Sequence, residues 1–161
     1  MQKKHSLNEY LWRAVLADGC ELTVLQGQGT QQSAVALSFS SGSHAEPDEY
    51  LGMAHFLEHL VFRGSRGYAL DDGLMAFVQR HGGQVNAQTQ AQQTLFHFQI
   101  ESSSFIAAIE RLVDMLVAPC LEAAMLISER EVLNEEFRLY CQSPQILLDA
   151  ALAVALEAPH P

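Results

Sequence analysis

Two histidines and a glutamate crowd into five residues, His55-Phe56-Leu57-Glu58-His59. On a helix, positions four apart are rotated by only about 40°, so His55 and His59 project from one face, one turn apart. Glu58 lies within about 100° of both on the same side. Met53, Leu57 and Leu60 fall on the opposite side and are expected to pack into the core. The spacing suits zinc: two imidazoles reach one ion, and the neighbouring carboxylate addresses a water molecule beside it. The order His-x-x-Glu-His is the inverse of the commoner His-Glu-x-x-His.

The flanking sequence predicts the scaffold for that helix. Alternating apolar residues over 11–16 and 21–26, joined by Ala17-Asp18-Gly19, read as a hairpin, and 33–39 reads as a third strand. A turn-rich stretch, 40–48, leads to a helix over about 50–63, ended by Gly64-Ser65-Arg66-Gly67. A second helix is expected from Asp71, acting as N-cap, to His81, stopped by Gly82-Gly83. Strands over 84–90 and 94–101 follow. A third helix carries Phe105, Ile109, Leu112 and Leu116 on one face and closes at Pro119. A fourth runs over 122–140 and a fifth begins after Pro144. Hairpins followed by paired helices, without strict alternation, predict an α+β fold with helices on one face of a mixed or antiparallel sheet. The whole chain, 1–161, reads as one domain without internal repeat or linker.

The fourth helix supplies what a zinc site still wants. Glu129 and Glu136 are seven residues apart, within about 20° of each other around the axis. Leu126, Val132, Leu133, Phe137 and Tyr140 share that stripe, so both carboxylates are embedded in an apolar face, where a charge is costly unless paired or bound to metal. A buried ion pair is the ordinary explanation for such a residue, yet Lys and Arg are scarce here. Glu131 and Glu135 point elsewhere and read as solvated. A catalytic zinc takes three protein ligands, and either Glu136 or Glu129 fits the third place.

With these residues in view, the chain resembles the pitrilysin-like (insulinase-like) zinc peptidases. Their glutamate ligand follows His-x-x-Glu-His after seventy-six residues, and that count from His59 lands on Glu136. Glu129-Arg130 resembles the family's Glu-Arg pair. Gly42-Ser43, Gly52-Met53-Ala54-His55, Gly64-Ser65 and His81-Gly82-Gly83 followed by Asn86-Ala87-Gln88-Thr89 resemble further landmarks. The resemblance covers about 11–140. Segments 74–80, 83–87 and 136–139 look like the branch that acts in pyrroloquinoline quinone (PQQ) biosynthesis.

The resemblance implies one zinc per chain on His55, His59 and Glu136, with Glu58 as general base and Glu129 as a helper of the ligand set. It implies an edge strand over 84–90 that holds an extended peptide by backbone hydrogen bonds at Asn86 and Ala87. It also implies that the chain is an N-terminal piece of a larger zinc endopeptidase, whose second half or partner subunit contributes substrate-contacting residues. A non-catalytic scaffold or partner subunit of the same family is the rival reading, though it sits poorly with a complete His-x-x-Glu-His set. A structural zinc site would need four protein ligands, and only three are evident. His81 and His97 read as packed or solvent-facing, and His5, His44 and His160 carry no signal.

Composition narrows the partners. Over 161 residues, 48% hydrophobic and 17% charged residues describe a globular chain. Nine basic against nineteen acidic residues, a net charge of −10, argue against nucleic acid and anionic membranes. Cys20, Cys120 and Cys141 form no C-x-x-C pair and are expected to be reduced and mostly buried. The two N-terminal lysines are followed by no apolar run that would make a secretion signal, and 150–156 is too short to cross a bilayer, so the expected location is the cytoplasm.

Overall fold

The structure is a computed structural model that describes residues 3–5, 9–27 and 29–155. The expectations for His160 and for the ends of the chain lie outside the described residues. The chain divides after Ser33 into two compact units.

The first unit is a three-stranded antiparallel sheet, β1 (Lys3–His5), β2 (Glu9–Val15) and β3 (Glu21–Gln26), in the order β1-β2-β3. Leu11 faces Leu25 and Trp12 faces Val24 in the β2–β3 hairpin, as the alternation predicts. β1 was not expected: three residues, Lys-Lys-His, are too short and too polar to register as a strand.

The second unit holds the site. Strands β4 (Gln32–Phe39), β5 (Gln84–Thr89) and β6 (Thr94–Glu101) form a sheet ordered β4-β6-β5, with β5 antiparallel to β6 and at the edge. Helices α1 (Met53–Val61), α2 (Leu74–Arg80), α3 (Phe105–Val117), α4 (Ala123–Tyr140) and α5 (Pro144–Ala155) complete the unit. Period-two alternation puts Phe96, Phe98 and Ile100 of β6 on one face, where they are buried with Val61, Val78, Ala108, Leu112 and Met115 from α1, α2 and α3. This is the expected α+β arrangement, helices against one face of the sheet. Gly83 sits where β5 meets that core; a Cβ there would lie 2.3 Å from the Gln99 carbonyl oxygen.

Several local expectations are corrected. α2 starts at Leu74 behind Gly73, and Asp71 does not cap it. Asp72 instead pairs with Arg80 and Arg111, an attraction between distant elements that a local capping rule does not register. Met53 and Leu57 are exposed while Leu60 is buried, so only part of the predicted apolar side of α1 enters the core. The cysteines are free, as expected, but Cys20 and Cys141 are exposed and only Cys120 is half-buried. Among the described residues no helix is long and apolar enough to cross a membrane.

Candidate active site

α1 begins abruptly. Gly52 at its N-cap has φ +89°, a left-handed conformation that glycine adopts without penalty. The Glu46 carboxylate accepts hydrogen bonds from the backbone N–H of Gly52 and Ala54, each 2.7 Å. A negative group over those free N–H groups favours the helix start and fixes where its first turn points. One turn later come His55, Glu58 and His59, and α1 packs against both α4 and the edge strand β5.

That packing brings together residues from distant segments. His55, His59 and Glu136 each offer a ligand atom within 4.8 Å of the others. Glu136 Oε2 lies 3.9 Å from His55 Nε2 and 3.4 Å from His59 Nε2. Two ligands bound tetrahedrally at zinc–ligand distances of about 2.1 Å stand about 3.4 Å apart, the separation of Glu136 from His59 and close to its separation from His55. The imidazoles meet edge to face, ring centres 4.8 Å apart. Donor chemistry agrees as well: two imidazoles and one carboxylate form a set that zinc accepts in catalytic sites.

Glu129 is placed differently from Glu136. It is 5% exposed, the one buried residue of α4. Its Oε2 lies 3.4 Å from His59 Nδ1 and its Oε1 3.1 Å from Arg63 Nε. The expected scarcity of cations around this carboxylate is thereby corrected: Arg63, four residues beyond His59, supplies one. The apolar stripe of α4 is corrected too. Leu126, Val132, Phe137 and Tyr140 are all exposed, and the carboxylate, not the hydrocarbon, is what the helix buries. Charge pairing has outweighed the burial that the pattern suggested.

Glu58 is 9% exposed, and its Oε2 accepts a hydrogen bond from the Thr89 hydroxyl at the end of β5. Glu58, His59 and Glu129 line one cavity of about 280 Å³ together with Asn86 and Ala87. A second cavity, about 580 Å³, is lined by residues of α1 and α4 that include Met53, His55 and Tyr140. His81 is exposed, its Nδ1 2.8 Å from the Phe77 carbonyl oxygen, and His97 is exposed on the opposite face of the sheet.

Sequence reasoning passed over three side chains here: Arg63, Thr89 and Tyr140. Tyr140 donates a 2.7 Å hydrogen bond to Glu136 Oε1, and that bond raises the phenol pKa above its ordinary value. The available signal was helical spacing, since Tyr140 follows Glu136 by four residues as Arg63 follows His59. Thr89 closed the Asn86-Ala87-Gln88-Thr89 landmark, but no spacing tied it to Glu58, thirty-one residues away.

The sequence profile of the insulinase family, peptidase family M16, matches residues 22–159. The coenzyme PQQ synthesis protein F of Pseudomonas syringae pv. tomato is 39% identical over 94% of the chain, and that of Pseudomonas aeruginosa 40% identical over 91%. Human nardilysin is 38% identical over 68% of the chain. The chain spans 19% of the length of the two bacterial relatives and 10% of nardilysin. The crystal structure of pitrilysin superposes with a TM-score of 0.76 at 27% identity, over 86% of this chain and 16% of that one.

Proposed function

This chain belongs to the insulinase family of peptidases, and from that premise we propose that it is the metal-bearing unit of a zinc endopeptidase. One zinc ion is held by His55, His59 and Glu136. When bound, zinc supplies Lewis acidity toward water and the scissile carbonyl. Glu58 is the general base: it takes a proton from the attacking water and returns it to the leaving amine. Thr89 orients the base through Glu58 Oε2. Glu129 acts through His59, whose Nδ1 it faces.

The substrate is an extended peptide that adds a strand to the free edge of β5, pairing with backbone groups at Asn86 and Ala87. The observation that carries this reading is the shared cavity: Glu58, His59, Asn86 and Ala87 line one space, so a strand on β5 would run past the base and a metal ligand. Small or unfolded peptides suit an edge that reads backbone rather than side chains. The substrate on this reading is the precursor peptide of the quinone cofactor, in the cytoplasm; that the bacterial relatives are coenzyme PQQ synthesis proteins supports it. Those relatives are about five times longer, and productive turnover draws on further polypeptide, in the same chain or a partner, that orients the peptide and excludes water.

Replacing Glu58 with Gln tests the reading. Zinc content by elemental analysis should stay near one per chain, while hydrolysis of an unstructured peptide by the enzyme containing this unit should be abolished. Hydrolysis retained at even a tenth of the normal rate would assign the base to another residue, Glu129 first.

A further inference from the structure

The two oxygens of Glu136 face different neighbours. Oε2 points at the two imidazoles, 3.9 Å from His55 Nε2 and 3.4 Å from His59 Nε2, while Oε1 accepts the hydrogen bond from Tyr140. A carboxylate on a flexible side chain can turn either oxygen to a metal ion or offer both. A hydrogen bond on one oxygen removes that freedom, leaving the other as the single donor. The bond is short and well formed, 2.7 Å, and a phenol bonded to an ionised carboxylate is among the stronger neutral–charged pairs.

We propose that Tyr140 is a positioning residue of the metal centre, whose hydroxyl locks Glu136 into single-oxygen presentation and so raises the affinity of the site for a divalent cation. The proposal rests on the reading of His55, His59 and Glu136 as metal ligands. The location of Tyr140 supports it. Tyr140 is the last residue of α4, in the turn after Glu136, and is 45% exposed. Glu136 itself is half-buried, and the Tyr140 hydroxyl donates to the oxygen that faces away from the imidazoles. The other members of the centre are similarly held, His59 by Glu129 and Glu58 by Thr89. Outer partners of this kind orient ligands and raise their affinity by about 10- to 100-fold.

The test compares the wild-type protein, Tyr140→Phe and Glu136→Gln. Zinc affinity is measured by competition with a chromophoric chelator, the visible absorption of the cobalt-loaded proteins is recorded, and the denaturant midpoint of the metal-free proteins is determined. Tyr140→Phe removes one oxygen from a half-exposed ring, so the metal-free midpoint should not move. Its zinc affinity should fall about 10- to 100-fold, and its cobalt bands should shift in position or intensity as the carboxylate changes from one donor oxygen to two. Zinc affinity within twofold of wild type and an unchanged cobalt spectrum, with Glu136→Gln clearly weakened, would overturn the role of Tyr140 and leave the ligand set standing. Wild-type affinity in Glu136→Gln would instead remove the ligand assignment, and the role of Tyr140 with it.

Discussion

Glu129 Oε2 stands 3.4 Å from His59 Nδ1, on the opposite edge of the imidazole from Nε2, which faces Glu136. Seven residues of α4 rise about 10.5 Å, and the imidazole of His59 fills the gap between the two carboxylates. A carboxylate at Nδ1 favours the tautomer with its proton on that nitrogen, leaving the Nε2 lone pair for a metal. Arg63 on the other oxygen of Glu129 keeps that carboxylate in place.

Glu129→Gln should therefore weaken zinc binding without abolishing it, by about 10- to 100-fold. The amide can turn its NH₂ or its oxygen toward His59, so the tautomer is no longer dictated. Competition with a chelator measures the change. An affinity equal to wild type would separate Glu129 from the metal centre.

Glu136→Gln should reduce zinc content well below one per chain after dialysis, because a neutral amide is a poor substitute for the carboxylate that meets both histidines. Elemental analysis reads this directly. Equal zinc in both proteins would take Glu136 out of the ligand set.

The 161-residue chain alone should bind zinc yet cleave an unstructured peptide slowly, if at all. The proposed ligands and base lie between His55 and Glu136, so the centre assembles within the chain, while orientation of the substrate and exclusion of water contribute much of the rate. Rapid cleavage by this chain, dependent on zinc and on Glu58, would show that no further polypeptide is needed.

Asp72 makes stability depend on acid. Its hydrogen bonds to Arg80 and then to Arg111 hold its pKa below the usual 3.8. A carboxyl whose folded pKa is depressed adds stability that is fully present above the unfolded value and is lost as pH falls through the folded one. Asp72→Asn should lower the denaturant midpoint near neutrality, with the gap to wild type closing below about pH 4. A gap that stayed constant down to pH 2 would rule the linkage out.

Gly83→Ala should destabilise the fold by about 1–3 kcal/mol. Its new Cβ would press on the Gln99 carbonyl oxygen of β6 and, at 2.8 Å, on Val78 of the core. The melting temperature of the metal-free chain checks this, and no change would mean that β5 shifts to make room.

What could be read from the amino-acid order alone was local and periodic. The four-residue spacing of His55 and His59 brings both rings to one face of α1 because a helical turn is 3.6 residues. The alternation in β6 sends Phe96, Phe98 and Ile100 to one side for the same kind of reason, a two-residue repeat. Glu129 and Glu136 were legible as members of one face of α4, but which would meet which nitrogen was not. That was decided by the docking of α1 on α4, elements some seventy residues apart, and docking depends on side chains from both at once. The partners of Arg63 and Thr89 were decided there, because a contact between segments leaves no periodic mark, whereas Tyr140 stands at helical spacing from Glu136 within α4 itself. The apolar stripe of α4 shows the same limit from the other side: its pattern predicted burial, yet the face it shares with Glu129 closes on His59 and Arg63, and the Glu129 carboxylate rather than the hydrocarbon lies inside.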